Sequence, residues 1–413
     1  MIRALSSVSL CVLVGTFAAC APEGRSESLG SSEAALADVT QTAVKRQSIG
    51  NCWLYATASW AESLHKSATG TELNSSESYW SYWHWFDQIT EGWSTKIETG
   101  GSFDVAAGLI DTYGVMAEGD FIEEESDVEM SARQHAALDA INLSLSTGVL
   151  KTEDARRDRA LVRAELDRAW SLSTAVVAQL DDAFGADVSR TLKRDARIGG
   201  TSIKAASALA ARLLDPETKA PVDKTLADAL GESSGNSWWS RREGPLAWQK
   251  VNYPTGDSRR RDLLGRVQRA LHDKQPVILS FFVDFNALDG QGRFFAPPAT
   301  PGRQGGHMVV MDDYEISNVP GFGTLRAGVV EERPEALSAA LASEATIDFI
   351  RVKNSWGANR PDRQFVVPGY HDLYMNYLNG PIKQCSQTPE GNTDTSNCWD
   401  DTPLNDVVLP AGY

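Results

Sequence analysis

The chain of 413 residues is long enough for two or three structural units at roughly 150 residues each, or for one enlarged domain. Hydrophobic residues make up 42% and charged residues 23%, values close to those of globular proteins, which argues against a disordered or fibrous chain. With 39 Lys and Arg against 55 Asp and Glu, the formal net charge of −16 gives no general attraction to nucleic acid or anionic lipid.

The N-terminal segment has the pattern of an export signal. Residues 1–19 are apolar or small after a short basic start, and they are too few to span a membrane comfortably. The four residues that end at Cys20, Phe-Ala-Ala-Cys, resemble a bacterial lipobox, and by that resemblance Cys20 becomes the lipidated first residue. Plain secretion is the alternative, because Ala19 and Ala21 also fit a signal-peptidase site. Residues 20–40 are predicted to be a flexible tether.

A turn at Gly50 and Asn51 leads into a predicted helix that begins at Cys52. From Trp53 to Leu64, apolar residues recur at i, i+3, i+4, i+7 and i+11, which indicates a helix with one buried face. A thiol at a helix N-terminus lies near unpaired backbone N–H groups and the positive end of the helix dipole, which both stabilise a thiolate. Cys52 is therefore a candidate nucleophile. The alternative is that it fills a small space in the core.

Residues 79–86 are a run rich in aromatic side chains after a polar segment, and carbohydrate stacking is one interpretation of them. Residues 122–245 are rich in Ala, Arg, Asp, Glu and Leu, show helical spacing and contain no catalytic motif.

A cysteine nucleophile needs a nearby imidazole, and His307 has the most suitable context. It follows Gln-Gly-Gly and opens an apolar run at residues 308–311 that predicts a buried strand. A core histidine at a strand edge is the alternative. A second predicted strand leads into Asn354-Ser-Trp-Gly, in which the aromatic residue is Trp356. The histidines without such a context are His65, His84, His135, His272 and His371.

Cys385 and Cys398 lie in a segment rich in Gly, Asn, Thr and Ser. In an exported protein they can pair, and closing such a loop stabilises the fold by about 3 kcal/mol in the chain-entropy model. Removal of the signal and pairing of these two residues would leave Cys52 as the free thiol, if Cys20 is lipidated.

Together these segments resemble the papain-like cysteine peptidases (peptidase C1), closest to the bleomycin hydrolase and aminopeptidase C branch. The match rests on Cys-Trp-Leu-Tyr-Ala from Cys52, Gly-Gly-His at His307 and Asn-Ser-Trp-Gly from Asn354. The resemblance implies an α+β, papain-like two-lobe fold, with a helical lobe and a twisted antiparallel β-sheet lobe. It also implies that the aromatic run over residues 79–86 is a helix packed between the two lobes, after a polar N-cap at residues 74–77.

The same resemblance implies a role for each site residue. Cys52 is the nucleophile, His307 the paired acid and base, and Asn354 the residue that orients the histidine. Gln47 and the Cys52 backbone N–H form the oxyanion hole. Three further residues belong to the substrate-binding site, where the glycines bind substrate backbone and the tryptophan shields the His–Asn bond: Gly100, Gly101 and Trp356. No metal or cofactor is expected.

The spacing of the motifs locates an insertion. Papain-like enzymes place the histidine roughly 130–150 residues after the cysteine, and here the separation is much longer. The excess is assigned to a helical insertion. The predicted organisation is a signal peptide at 1–19, a tether at 20–40, a helical lobe at 41–121, the helical insertion at 122–245 and a β-sheet lobe at 246–413.

The expected protein is an exported cysteine peptidase acting on a peptide or protein substrate. It is expected to bind no nucleic acid and to contact a membrane only through a lipid anchor, in the bacterial envelope, or to be secreted. Two alternatives stay open, which are a catalytically inactive papain-fold surface binding protein and a Cys-His acyltransferase.

Overall fold

The computed structural model describes residues 39–91, 95–193, 202–234, 241–360, 364–388 and 392–413. The predicted signal peptide, Cys20 and all but the last two residues of the predicted tether lie outside these ranges. None of the helices within them is long and apolar enough to cross a membrane.

Helices dominate the first half of the described chain. The α-helices are α1 (Cys52–Thr69), α2 (Glu77–Thr90), α3 (Phe103–Tyr113), α4 (Glu118–Phe121), α5 (Arg133–Ser146), α6 (Glu153–Arg157), α7 (Arg159–Ala169), α8 (Thr174–Phe184), α9 (Leu226–Leu230), α10 (Asp257–His272), α11 (Pro334–Ala339) and α12 (Met375–Leu378). Short 3₁₀ turns occur at Glu123–Glu125, Val149–Lys151 and Ala206–Ala208. The helix expected at the aromatic run is α2, and the Ser76 side chain caps it by accepting the N–H of Tyr79.

Strands dominate the second half. They are β1 (Val115–Met116), β2 (Ile203–Lys204), β3 (Ala210–Leu214), β4 (Pro221–Thr225), β5 (Glu232–Ser233), β6 (Arg242–Glu243), β7 (Gln249–Asn252), β8 (Ile278–Asp284), β9 (Arg293–Phe294), β10 (Gln304–Val319), β11 (Gly323–Leu325), β12 (Thr346–Lys353), β13 (Tyr370–Tyr374), β14 (Ile382–Gln387), β15 (Thr393–Asp401) and β16 (Leu404–Leu409). The predicted α+β class is confirmed.

Within the described residues, the buried apolar side chains form two clusters, which define a helical lobe and a sheet lobe. The first cluster is built mainly from α1, α2, α3 and the helices that follow, but it also includes Met308 and Val310 of β10. The second cluster lies between the sheet and α10, which contributes Leu264 and Val267. Met308 and Val310 belong to the helical cluster, whereas Val309 and Met311 belong to the sheet cluster, so the face of β10 that carries Met308 packs directly on the helical lobe.

Eight strands of the described chain form the main sheet, in the order β7–β16–β8–β10–β12–β13–β9, with β11 paired to β10. The expected antiparallel sheet is corrected in one respect, since β9 runs parallel to β13, with Asp372 opposite Arg293. The physical reason is a reversal after β8. There Asp289 Oδ1 accepts the backbone N–H groups of Gln291 and Arg293 and closes a tight turn.

In the predicted insertion at residues 122–245, helices predominate through Phe184, and the α-helix that the described residues form after it is the short α9. The segment is therefore not helical throughout, which corrects its description as a helical insertion. Short strand pairs follow, such as β3 with β4. The turn between them is closed by Asp215, whose Oδ1 accepts the N–H groups of Glu217 and Thr218. Such side-chain turns favour a hairpin over a helix. The predicted boundaries of the segment stay predictions.

Residues 39–47 form an N-terminal strap that runs between the two lobes. Val39 is buried in the sheet cluster, so the packed structure includes the last two residues of the segment predicted to be a tether. The backbone of Arg46 forms an isolated antiparallel β-bridge with Trp356, and the Gln47 N–H donates to the carbonyl of Ser355 at 2.9 Å. The strap therefore brings Gln47 to the loop that follows β12.

Candidate active site

Cys52 is the first residue of α1 and is only 8% exposed. The turn before it is fixed by Asn51, whose Nδ2 donates to Ser81 Oγ of α2 at 3.1 Å and to Gln134 Oε1 of α5 at 3.2 Å. Because both partners belong to other buried helices, the sulfur is held at a defined position at the positive end of the α1 dipole.

Two opposing effects act on the Cys52 thiol. Burial raises its pKa to about 11, whereas hydrogen bonds from the backbone of Met308, Trp53 and Cys52 itself lower it. Met308 directly follows His307 on β10, so the sulfur lies against the strand that carries the histidine. Among the cysteines of the described ranges, Cys52 has the free thiol.

His307 is buried in β10, where it pairs in register with Phe281 of β8. Its Nε2 lies 2.7 Å from Asn354 Oδ1. Since that oxygen also accepts the N–H of Ser355 at 2.7 Å, we assign the Nε2 proton to His307, which leaves Nδ1 free to take up a proton. Burial lowers the pKa of His307 to about 4, and the bond to Asn354 acts to raise it.

Trp356 covers the histidine. The rings of Trp356 and His307 are stacked with centroids 4.8 Å apart and planes inclined by 23°. Phe285 lies against the same tryptophan at 5.3 Å. The aromatic layer reduces the access of water to the His307–Asn354 hydrogen bond, which strengthens it electrostatically.

The Gln47 carboxamide joins the loop after β12 to the turn before Cys52. Its Oε1 accepts from Ser355 Oγ at 2.6 Å, and its Nε2 donates to the carbonyl of Ile49 at 2.8 Å. An amide nitrogen carries two hydrogens, so Nε2 has a second one to donate. Gln47, Cys52, His307 and Asn354 are thus connected through adjacent residues in one part of the molecule.

Gly100 and Gly101 lie beside Trp53, the residue after Cys52. The Trp53 Nε1 donates to the carbonyl of Thr99 at 2.9 Å. A Cβ at position 101 would approach the Trp53 ring to 2.5 Å, whereas one at position 100 would meet no described atom within 4 Å. The glycine segment is therefore packed on one side and open at Gly100.

The same segment is anchored to other helices. Gln88 of α2 forms two hydrogen bonds with the backbone of Glu98, donating to its carbonyl at 2.8 Å and accepting its N–H at 3.0 Å. Asn142 of α5 accepts the N–H of Ile97 at 2.8 Å. The predicted insertion thus contributes a contact that positions the glycine segment.

His371 is a buried site residue that the sequence did not identify. It is 1% exposed, and its Nδ1 lies 3.2 Å from Asn354 Nδ2. The sequence places it after a turn at Pro368 and Gly369, without a long apolar run after it. Its position next to Asn354 depends on the pairing of β12 with β13, for which the register was not predicted.

Buried charged side chains also lie next to the site. Lys353 Nζ, from the residue before Asn354, donates to Thr42 Oγ1 at 2.9 Å, and this hydroxyl donates to Glu62 Oε2 at 2.7 Å. Lys45 Nζ lies 3.4 Å from Glu62 and 3.0 Å from Glu77. We call these five residues, Thr42, Lys45, Glu62, Glu77 and Lys353, the interlobe charge cluster.

Cys385 and Cys398 face each other in register on β14 and β15, with their sulfur atoms 2.06 Å apart. This hairpin is attached to the His307 strand by Gln304. The Gln304 side chain accepts the N–H of Cys385 at 2.9 Å and donates to the carbonyl of Lys383 at 2.6 Å. The described residues contain no cluster of three or more His, Cys, Asp or Glu placed to hold a metal ion.

No protein-family model matches the sequence, and a comparison with curated proteins finds no match. Among solved structures, the chain is similar to PepW of Lactobacillus rhamnosis, at 13% identity and a TM-score of 0.42, with 92% of this chain and 82% of PepW covered. It is also similar to the Carica candamarcensis cysteine protease CMS1MS2, at 12% identity, a TM-score of 0.34 and coverage of 90% and 93%. Digestive procathepsin L 3 of Tenebrio molitor gives 13% identity, a TM-score of 0.32 and coverage of 94% and 71%.

Proposed function

We propose that this chain is a papain-like cysteine peptidase that hydrolyses peptide bonds with Cys52, His307 and Asn354. One observation carries the proposal. A thiol at a helix N-terminus lies against the backbone next to a buried histidine, and the Nε2 of that histidine is hydrogen-bonded to an asparagine oxygen. This arrangement supplies a nucleophile, a proton acceptor and a residue that fixes the acceptor's tautomer.

The first half of the proposed reaction forms an acyl-enzyme. His307 Nδ1 takes the proton of the Cys52 thiol, and the thiolate attacks the carbonyl carbon of the scissile peptide bond. The negative charge that develops on the carbonyl oxygen is stabilised by the Cys52 backbone N–H and the second Nε2 hydrogen of Gln47. His307 then donates its proton to the departing amine nitrogen as the carbon–nitrogen bond breaks.

The second half restores the free enzyme. His307 removes a proton from a water molecule, whose oxygen attacks the thioester carbon. The carbon–sulfur bond breaks, the proton returns to the thiolate, and a carboxylic acid product leaves. The stacked Trp356 ring keeps His307 in the plane that both steps need.

Burial disfavours the thiolate of Cys52 and the imidazolium of His307 when each is charged alone, so each charged form depends on the other for its stabilisation. The ion pair would form by transfer of the thiol proton to His307, with the thiolate stabilised by the α1 N-terminus and by the imidazolium beside it. Bound substrate would contact Gly100, which is exposed beside Trp53, through its backbone.

Export is the second part of the proposal. Residues 1–19 would be removed as a signal, Cys20 would carry the lipid, and Cys385 and Cys398 would form a disulfide in an oxidising compartment. The in-register placement of these two cysteines supports the pairing. Intact mass measurement of the protein purified from cell envelopes would show the lipid and the loss of two hydrogens.

Labelling with an epoxide thiol inhibitor, followed by peptide mapping, tests the catalytic proposal. We expect one adduct on Cys52 in the folded protein and none there in urea-unfolded protein. The Cys52→Ala variant should neither be labelled nor cleave peptides. Absence of a Cys52 adduct in folded protein would overturn the peptidase proposal, and an adduct without peptide hydrolysis would favour acyl transfer or binding.

A further inference from the structure

A second buried histidine holds the other end of the Asn354 side chain. His371 pairs with Val352 in the register of β12 and β13, and the Asn354 N–H donates to the carbonyl of Gly369 at 3.0 Å. These backbone contacts place the imidazole of His371 beside the asparagine amide, where Nδ1 and Nδ2 lie 3.2 Å apart.

The asparagine amide has two unlike ends, so its orientation decides what His307 meets. In the observed orientation, Asn354 Oδ1 faces His307 Nε2 at 2.7 Å and the Ser355 N–H at 2.7 Å. A flipped amide would place Nδ2, a donor, against both of these donors. It would also place Oδ1 against His371, and the flipped state would then favour the other tautomer of His307.

His371 is enclosed by aromatic rings. Trp356 contacts it edge-on at 5.0 Å, Phe365 lies at 5.0 Å and Phe294 at 6.5 Å. In this apolar surrounding, a hydrogen bond between the Asn354 amide and a neutral imidazole is stronger than it would be in water. Trp356 contacts both His307 and His371, so one ring fixes both imidazoles.

We propose that His371 is a positioning residue, whose Nδ1 accepts a hydrogen bond from Asn354 Nδ2 and thereby keeps Asn354 Oδ1 directed at His307. The chain of hydrogen bonds then extends one residue beyond the proposed triad. The effect of His371 on catalysis rests on the proposed peptidase function. Its effect on the tautomer of His307 does not, so the tautomer and the catalytic rate are measured separately.

The direct test is ¹⁵N NMR of ring-labelled histidines in the Cys52→Ala protein, which requires no activity. We expect His371 to carry its ring proton on Nε2, and His307 also to carry its proton on Nε2. In His371→Leu, His307 should populate both tautomers, whereas His371→Asn, which retains an acceptor oxygen near the Nδ1 position, should restore the Nε2 form. If the Cys52→Ala protein that retains His371 carries a proton on His371 Nδ1, the proposal is overturned. This measurement does not require the leucine variant to fold.

The kinetic test uses variants with Cys52 intact. His371→Leu should lower kcat about 10-fold or more, a part of the 10²–10⁴-fold that general acid–base catalysis contributes, with little change in KM. His371→Leu should also shift the pH profile of Cys52 alkylation by iodoacetamide. His371→Asn should restore both kcat and this pH profile. Phe365→Leu is the packing control, because it removes a ring contact to His371 but leaves the Asn354 bond, and it should keep the profile.

The outcomes separate the two proposals. A wild-type protein in which Cys52 is unreactive, with the expected NMR tautomers, would contradict the peptidase function and keep the positioning role. A reactive wild type in which His371→Leu and Phe365→Leu give the same small effect would contradict the positioning role alone.

Discussion

The side-chain amide of Gln47 is the contact on which the proposed oxyanion hole depends. Its oxygen is occupied by Ser355 Oγ, and its nitrogen donates to the Ile49 carbonyl, so the amide cannot rotate without losing both bonds. A fixed donor needs no reorganisation when charge develops on a substrate oxygen.

We therefore predict that Gln47→Ala lowers kcat about 10²–10³-fold, the range found when one oxyanion donor is removed. Peptide hydrolysis measured over a range of substrate concentrations should show little change in KM. Ser355→Ala, which keeps the donor but frees the Gln47 oxygen, should have a smaller effect. Equal kcat values for wild type and Gln47→Ala would exclude Gln47 from the oxyanion hole.

His84 makes folding stability depend on pH. Burial lowers its pKa from 6.5 to about 4, and its ring lies edge-on to Trp53 at 4.9 Å. The unfolded chain therefore binds a proton more readily between these values. The stabilising contribution of the neutral ring is complete above about pH 6.5 and is lost as the pH falls towards 4.

The expected size is about 3 kcal/mol, from 1.36 kcal/mol for each pKa unit. Urea unfolding of wild type and His84→Gln at pH 7 and pH 4.5 measures it. The stability of wild type relative to the variant should fall by roughly 2–3 kcal/mol on acidification. Asp87 and Asp312, whose pKa values burial raises to about 7, act in the opposite direction but are present in both proteins. A difference that does not change with pH would refute the assignment.

At the scale of single residues, the sequence predicted those with a strong local context. Cys52 follows turn residues and precedes a helical pattern, and His307 precedes an apolar strand. His371 has no such local signal, because its contact with Asn354 arises from the register of two strands joined by a loop. Lys353 directly follows the strand predicted before Asn354, but its partner Thr42 is far away in sequence.

At the scale of elements, the glycine segment beside α1 is positioned by α2 and α5. The side chains of Gln88, Asn142 and Trp53 form hydrogen bonds with the backbone of Glu98, Ile97 and Thr99, respectively. These contacts bring Gly101 so close to the Trp53 ring that a side chain has no room there.

The two glycines should therefore respond differently to the same change. Gly101→Ala should destabilise the protein by about 1–3 kcal/mol, the usual cost of overpacking, and should lower kcat because Trp53 follows the nucleophile. Gly100→Ala, at an open position, should keep the stability of wild type within about 0.5 kcal/mol. Thermal unfolding and peptide hydrolysis of both variants provide the measurement. If the two variants have equal stabilities, the backbone around Gly101 can shift to accommodate a side chain, contrary to the prediction.

Element prediction succeeded where periodicity was long and failed where turns decided the structure. The expected helix at Cys52 and the strand after His307 are present as α1 and β10. The β3–β4 hairpin was missed because the helical prediction rested on composition and on spacing elsewhere in residues 122–245, and the turn that Asp215 closes has no periodic signal. The parallel position of β9 depends on the reversal at Asp289, which no periodicity encodes.

At the scale of the whole molecule, the interlobe charge cluster connects the strap and both lobes. Burial acts to raise the pKa of Glu62, but Lys45 and Lys353 outweigh it and hold that pKa below its ordinary value. Burial lowers the pKa of Lys353 to about 8. The cluster is therefore sensitive to the loss of the Glu62 charge, because Lys353 would lose the carboxylate to which Thr42 connects it, whereas Lys45 would keep Glu77.

We predict that Glu62→Gln lowers the free energy of unfolding by about 3 kcal/mol, near the lower end of values for breaking a buried ion pair. Glu72→Gln is the matched control, since Glu72 is 63% exposed and pairs with Lys66 at 2.7 Å. Exposed pairs contribute about 0–1 kcal/mol, so this variant should resemble wild type. Denaturant unfolding at pH 7 compares them, and similar losses in both variants would contradict a role of the cluster in joining the lobes.

The central claim is that Cys52 becomes acylated during peptide hydrolysis, and trapping the intermediate tests it most directly. Wild-type protein mixed with a peptide ester and quenched in acid within one turnover should carry the acyl group on the tryptic peptide that contains Cys52. The bond should be cleaved by hydroxylamine, as expected for a thioester, and His307→Ala should accumulate much less of it. Peptide hydrolysis by wild type without an acyl group on Cys52, or undiminished hydrolysis by Cys52→Ala, would contradict the account.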